Sequence, residues 1–216
     1  MLELIPRRER IDLLIAWLAL SIAFAFVLRD SPVVYPFLPG DSFTAFLVVF
    51  AISLVTAGIG FALHELAHKF AAMKFGYWAE FRKENLMLLI AVALAALVGV
   101  VFAAPGATVI YGNTTKAENG KISAAGPLTN LILCIVFATI LLFSGGITSP
   151  AGFGGLIGIV GLQVNGMIAA FNMLPVSVLD GRKILAWNPG VFTIMIVAGF
   201  GIVIAPYYHL LSSALF

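Results

Sequence analysis

The chain has 216 residues, of which 62% are apolar and 10% are charged, and its mean hydropathy is +1.09. Soluble domains carry roughly 25% charged residues, so this composition excludes that class and indicates an integral membrane protein. The formal net charge of +2 comes from basic residues clustered in short segments between apolar runs, which gives no basis for a nucleic-acid partner.

Five apolar runs are long enough to cross a bilayer, because about 20 helical residues span its hydrocarbon core. Short linkers rich in proline and glycine join them and predict tight connections between helices. The runs cover residues 11–28, 43–68, 122–143, 153–174 and 191–214. We expect an all-α polytopic membrane protein with a single domain, 1–216, whose core is about 43–185 and whose flanking helices are the first and last runs.

The second run ends in the sequence His64-Glu65-Leu-Ala-His68. Two histidines four residues apart lie on one face of a helix, so both imidazoles can bind one metal ion. Glu65, beside them, can take a proton from water that the ion activates. Ionisable side chains inside a membrane span are costly and are functional by default. The run therefore predicts zinc-dependent hydrolysis inside a membrane.

Residues 86–112 form an ambiguous segment, in which 86–98 resembles a helix and 100–111 resembles two short strands around Pro105-Gly106. If the segment crosses once, five of the 12 lysines and arginines fall outside the cell. If it enters and returns, 11 of the 12 lie inside, as the positive-inside rule favours. We therefore expect five to six transmembrane helices, with five preferred, and a small membrane-embedded β-hairpin packed against the second run.

A catalytic zinc site has three protein ligands and an open position for water, so one ligand is still needed. With five crossings, the second and fourth runs point the same way, and Asp180 reaches the inner level of the two histidines. His209 falls near the outer face, where an interfacial aromatic belt is the better interpretation. Asp180 is thus the expected third ligand, and its alternative role is to cap the helix that follows.

Three motifs in this order resemble the site-2 protease family of intramembrane zinc metalloproteases, over about residues 43–185. They are residues 64–68, the Ala-Gly-Pro-Leu-Thr-Asn sequence of 125–130, and the Asn-Met-Leu-Pro-Val-Ser-Val-Leu-Asp-Gly sequence of 172–181. The resemblance implies that His64, His68 and Asp180 bind one Zn²⁺ and that Glu65 is the general base. It also implies that Asn172 holds the substrate or the developing oxyanion.

The same resemblance implies that a membrane-anchored protein is the substrate, cut within or beside its transmembrane segment and paired with the hairpin as an unwound strand. We expect a multi-pass protein of the cell membrane, in contact with the lipid bilayer, with its N-terminus and active site towards the cytoplasm. The oligomeric state is left open. Ser177, Val178 and Arg182 depart from the pattern, because many relatives have a second proline and a second glycine here.

Two other classes of function fit parts of the sequence. In a transporter, intramembrane His, Glu and Asp would line a pathway, but here they gather at one depth. In a catalytically silent scaffold, the same fold would bind membrane partners without cleaving them. Asn130 has its own alternative, since membrane bundles use asparagine for hydrogen bonds between helices, and this role is the preferred one for it.

Overall fold

The computed structural model describes residues 4–38, 40–101, 106–146 and 152–215, with backbone alone at 206 and from 208 onward. Eight helices and two strands follow one another in this part of the chain. They are α1 (Arg7–Leu28), α2 (Ser42–Ser53), α3 (Ile59–Lys74), β1 (Trp78–Lys83), α4 (Asn85–Val98), β2 (Gly106–Tyr111), α5 (Lys116–Phe143), α6 (Gly152–Asn172), α7 (Asp180–Trp187) and α8 (Pro189–Leu215).

Four helices are long and apolar enough to cross a membrane: α1, the combined α2 and α3, α5 and α6. Helix α8 is apolar along Pro189–Ala205, the part of it with described side chains. The protein is therefore a mostly helical membrane protein, as its composition predicted. The number of crossings, their orientation and the single-domain boundary stay predictions.

Helices α2 and α3 are one continuous 33-residue span, interrupted by a wide turn at Leu54–Gly58 that has π-helical hydrogen bonding. The indole of Trp17 on α1 donates to the Leu54 carbonyl over 2.7 Å at this bulge. The Trp17 ring lies so close that a Cβ on Gly58 would be 1.6 Å from it. Glycine at 58 therefore lets α1 pack directly on the span that carries the predicted zinc motif.

The small sheet is present, but its first strand is not where the sequence placed it. Strand β2 pairs antiparallel with β1, and Phe81 lies opposite Thr108. The expected first strand, just before Pro105, is coil in its described part at Val100 and Val101, while Pro105 itself lies outside the described residues. Strand β1 was overlooked because three of its six residues are charged and its partner lies more than 20 residues away.

The segment between the two strands leaves and returns at one end of the sheet, because Lys83 pairs with Gly106. Within it, the 14 residues of α4 span only about 21 Å. Helix α4 packs against α1. The segment thus returns to the end of the sheet from which it leaves, and its entry and return on one side of the membrane stay a prediction.

Helix α5 lies at the centre of the fold and packs against α3, α6 and α7. The largest apolar cluster fills the space between α1, α2 and α6, with Phe24, Ile52 and Val160 among its buried members. A smaller cluster, which includes Met173 and Ile184, holds α7 and the preceding loop against α8. This packing fixes α7 at the end of α5, beside the histidines of α3.

Candidate active site

His64 and His68 project from one face of α3 and are both buried. Their Nε2 atoms are 3.0 Å apart, and Asp180 Oδ2 lies 3.3 Å from the first and 3.1 Å from the second. One ligand atom from each residue lies within 4.8 Å of the other two, so the group can hold a metal ion. The structure thus brings together the three side chains that the topology argument selected.

Asp180 is the first residue of α7, and its carboxylate is aimed at the histidines rather than at the helix backbone. Leu179 occupies the capping position, and no side-chain cap is formed there. Because the Asp180 carboxylate does not cap the helix, it is available as a ligand.

Both imidazole rings are oriented by a hydrogen bond on their far side. His64 Nδ1 donates to Asn130 Oδ1 over 2.6 Å, and His68 Nδ1 donates to the Ile122 carbonyl over 2.8 Å. Because both partners are acceptors, each ring carries its proton on Nδ1 and turns the lone pair of Nε2 towards the site. This is the tautomer that a metal ligand needs.

The amide of Asn130 is itself held by a second buried amide. Asn130 Nδ2 donates to Asn165 Oδ1 over 2.9 Å and to the Gly60 carbonyl over 3.3 Å. Asn165 Nδ2 in turn donates to the Gly161 carbonyl over 2.9 Å. Asn130 does link helices, as expected, but its oxygen also faces a predicted zinc ligand. Asn165 was missed, although an asparagine in the middle of an apolar glycine-rich run was a signal for it.

The space in front of the ligand atoms depends on Gly126 of α5. A Cβ at this position would lie 2.4 Å from His68 Nε2 and 2.6 Å from His64 Nε2. Any side chain would therefore fill the volume into which both lone pairs point. The donor set of two imidazoles and one carboxylate is also one that zinc prefers, so the residues present fit the ion.

Glu65 lies beside this space and is oriented by the sheet. Thr108 of β2 uses its hydroxyl to contact Glu65 twice, at 2.8 Å from Oε2 and 3.1 Å from the backbone carbonyl. The Glu65 side chain also lines a cavity of about 70 Å³ together with the three candidate ligands. Thr108 was not singled out from the sequence, because only the long-range pairing of β2 brings it to the zinc helix.

Asn172, at the end of α6, is half-buried and lines the same small cavity as Glu65. Its Nδ2 donates to the Ile168 carbonyl of its own helix over 3.0 Å. The structure therefore places Asn172 at the edge of the site rather than among the ligand atoms. An amide has two N–H donors, so the second one is available to a bound molecule.

Comparison with known proteins agrees with this geometry. A protein of Methanocaldococcus jannaschii named putative zinc metalloprotease MJ0611 is 41% identical over 190 residues, which cover 88% of this chain and 89% of that protein. The chain belongs to this zinc metalloprotease family. A Bacillus subtilis protein named putative zinc metalloprotease YwhC is 29% identical over 145 residues, covering 61% of this chain and 66% of that protein. No family model and no solved structure matches.

Zinc is accordingly the cofactor of this metalloprotease. The departures from the expected motif lie in the loop before Asp180, at residues 177 and 178, and in the first turn of α7, at residue 182. Ser177 adopts a left-handed backbone with φ of 50°, which is uncommon outside glycine and asparagine. Arg182 Nη1 donates to the Ser177 carbonyl over 3.4 Å, while Val178 is exposed. Two of the departing residues thus bind each other, and Asp180 keeps its place.

A buried ion pair near the metalloprotease site was not predicted from the sequence. Lys69, directly after His68, lies 2.5 Å from Glu9 of α1, and both side chains are fully buried. The other Glu9 oxygen accepts a 3.0 Å hydrogen bond from the backbone N–H of Phe81 in β1. The Lys69 ammonium also lies 5.1 Å from the centre of the Trp78 ring. Glu9 therefore joins α1, the zinc helix and the sheet.

Proposed function

We propose that this metalloprotease is an intramembrane protease, which hydrolyses a peptide bond within or beside the transmembrane segment of a membrane-anchored protein. The observation that carries the proposal is the location of the His64, His68 and Asp180 group. Two of its members belong to Ser42–Lys74, a helix long and apolar enough to span a membrane, and all three are buried. A hydrolytic site in such a helix meets substrates that are themselves in the membrane.

The candidate ligands, Glu65, Thr108 and Asn172 each have a role in this proposal. His64 and His68 hold zinc through Nε2, and Asp180 holds it through a carboxylate oxygen. When bound, zinc polarises the substrate carbonyl and makes nearby water more acidic. Gly126 keeps the space in front of these atoms open. The hydrogen bonds from both Nδ1 atoms keep the rings in position during turnover.

Glu65 is the general base. It accepts a proton as the water oxygen attacks the carbonyl carbon, and it returns that proton to the leaving nitrogen when the C–N bond breaks. Thr108 donates to the Glu65 carboxylate and fixes its orientation. Asn172, with its second N–H, donates to the substrate carbonyl oxygen as negative charge develops there.

The sheet is proposed to bind the substrate as a third strand. A peptide bond in an intact helix is protected, so the substrate must unwind before it is cut. The outer edge of β1 is already occupied where the Phe81 N–H donates to Glu9. The residues of β2 line the small cavity beside Glu65. A substrate strand therefore adds to the edge of β2, with its peptide bonds facing the base.

The proposed location is the cell membrane, with the N-terminus and the site towards the cytoplasm. The positive-inside count supports this orientation, and the count still does so after one correction. Lys69 is buried and paired, so it is not a free inner-face charge. Without it, ten of the remaining 11 lysines and arginines still lie inside. Cysteine labelling at positions 116 and 182 tests the orientation, since labelling of either from outside intact cells contradicts it.

Zinc content and cleavage by purified protein test the enzyme itself. Wild type in detergent is expected to contain one zinc per chain and to cut a transmembrane substrate, and Glu65→Gln to keep the zinc but lose cleavage. If Glu65→Gln cleaves as well as wild type, the protease proposal is wrong. Zinc binding by both proteins with cleavage by neither supports a silent scaffold. Zinc that passes across sealed vesicles without cleavage supports a transporter.

A further inference from the structure

An apolar cavity of about 290 Å³ lies next to the candidate active site. Its walls come from four helices, with Leu20 of α1, Phe61 of α3, Ala170 of α6 and Phe200 of α8 among them. Glu65 and Asn172 are the polar side chains among the described residues that line it. The zinc ligands do not line it, so the catalytic roles described above leave most of this volume unexplained.

The cavity continues directly from the space where the scissile bond is expected. Glu65, Asn172 and Gly106 line both this cavity and the small one at the zinc ligands. A substrate strand along β2 would send successive side chains to opposite faces. One side chain next to the scissile bond therefore points past Glu65 and into the apolar volume.

The size of the cavity indicates what it holds. An apolar cavity of about 150 Å³ is enough to bind benzene, and this one has about twice that volume. Its lining resembles that of a ligand site, mostly apolar with a few polar groups at one end. Alanine or glycine would leave it largely empty, whereas leucine, phenylalanine or tryptophan would fill it.

We propose that this cavity is a specificity subsite for a large apolar or aromatic side chain of the substrate, at the residue beside the scissile bond. The inference rests on the proposed protease function and adds a substrate class to it. Membrane-anchored proteins with such a residue at the cleavage position are the preferred substrates. Binding of this side chain also holds the unwound segment against β2.

The first test varies the substrate and narrows the cavity. A set of transmembrane substrates carries Ala, Leu, Phe or Trp at the residue beside the bond that is cut. Wild type is expected to prefer Leu and Phe over Ala by at least about tenfold in kcat/KM. Ala170→Phe places a ring in the cavity, so it should abolish that preference. Ala51→Phe, on the exposed surface of α2, is the matched control and should behave like wild type.

A second variant enlarges the cavity and covers the case in which Ala170→Phe does not fold. Phe200→Ala removes a wall residue that is 38% exposed, so it disturbs the core less than a buried substitution would. It should shift the preference towards Trp by about tenfold relative to Leu. Phe143→Ala, which removes a 90% exposed ring elsewhere, is its control. Equal cleavage of all four substrates by wild type and by both cavity variants overturns the inference. Lipid chains would then be the expected occupants of the cavity.

Photo-crosslinking separates this inference from the protease proposal. A substrate with p-benzoylphenylalanine at the tested position is bound to the Glu65→Gln protein and irradiated, and the adduct is mapped by mass spectrometry. Crosslinks to Met167, Phe200 or Val203 support the subsite, even if wild type proves unable to cleave. Zinc-dependent cleavage by wild type without such crosslinks contradicts the subsite and leaves the protease proposal standing.

Discussion

Two buried polar clusters lie on the zinc helix, five residues apart, and they are built in different ways. The amide relay consists of His64, Asn130 and Asn165, is neutral, and ends on the Gly161 carbonyl. The ion pair consists of Glu9 and Lys69 and carries two opposite charges in full burial. The relay acts on the orientation of one ring, whereas the ion pair holds three elements of the backbone together.

The difference shows what each cluster does for the enzyme. Each donor group of the relay is matched by an acceptor, so the chain of hydrogen bonds from His64 to the Gly161 carbonyl has a direction and determines which nitrogen of His64 faces the metal. It adds no charge next to the zinc. The ion pair orients no ligand. Removing one partner, however, would leave the other charge buried and unpaired, at a large cost in free energy of unfolding. Loss of the relay should therefore change zinc binding, and loss of the pair should change stability.

The largest effect is expected from Glu9→Leu, which leaves the Lys69 ammonium buried without a counter-charge. Removing one partner of a buried pair costs about 3–5 kcal/mol in free energy of unfolding. The Phe81 N–H loses its acceptor as well. Chemical denaturation in mixed detergent micelles, followed by tryptophan fluorescence, measures the loss.

The double variant Glu9→Leu/Lys69→Met is the control for that experiment, because it removes both charges and keeps a similar apolar volume. It should recover most of the lost stability. If Glu9→Leu is as stable as wild type, or if the double variant is no better than the single one, the two charges do not depend on each other as described.

Asn130→Leu should mainly weaken zinc binding, because the variant takes the acceptor from His64 Nδ1 and the donor from Asn165. Changes to groups that orient a ligating histidine lower metal affinity by about 10- to 100-fold. Competition with a fluorescent zinc chelator measures the affinity. Thr139→Val, on the exposed face of the same helix, should leave it unchanged. An unchanged zinc affinity in Asn130→Leu would show that the relay only joins helices.

Thr108→Val keeps the shape of the side chain but removes the hydroxyl that donates to Glu65. Hydrogen bonds to charged groups are worth about 1.5–3 kcal/mol, so kcat for a transmembrane substrate should fall at least about tenfold. Zinc content and KM should stay near wild type, since the ligands are untouched. Thr108→Ser retains the hydroxyl and should restore most of the rate. Equal rates for the Val and Ser variants would rule out this role for Thr108.

Sequence reasoning succeeded where local spacing and burial carry the information. His64, Glu65 and His68 follow from one helical turn, and Asp180 followed from the direction of the apolar runs. These four side chains are close together in the structure, as expected. Strand β2 was predicted, but its pairing with β1 was not, because the sequence of a single strand does not show which distant segment it pairs with.

The buried polar partners were harder to predict for a related reason. Glu9 stands among three arginines and resembles part of an exposed, basic N-terminus. Lys69 resembles an interfacial charge at the end of a membrane helix. Their burial depends on β1 and α1 meeting beside the zinc helix, which requires the full set of tertiary contacts. Asn165 and Thr108 became recognisable only once their partners were located.

The smallest effect is expected at a third polar contact on the same span, the hydrogen bond from Trp17 to the Leu54 carbonyl. Trp17→Phe removes one neutral donor and keeps an aromatic ring beside Gly58. A neutral hydrogen bond contributes about 1 kcal/mol, so the loss of unfolding free energy should be well below that of Glu9→Leu. Zinc affinity should not change, because the bulge lies almost two turns before His64 and outside the relay. If Trp17→Phe destabilises the protein as much as Glu9→Leu, then helix packing around the bulge, rather than charge pairing, holds α1 to the zinc helix.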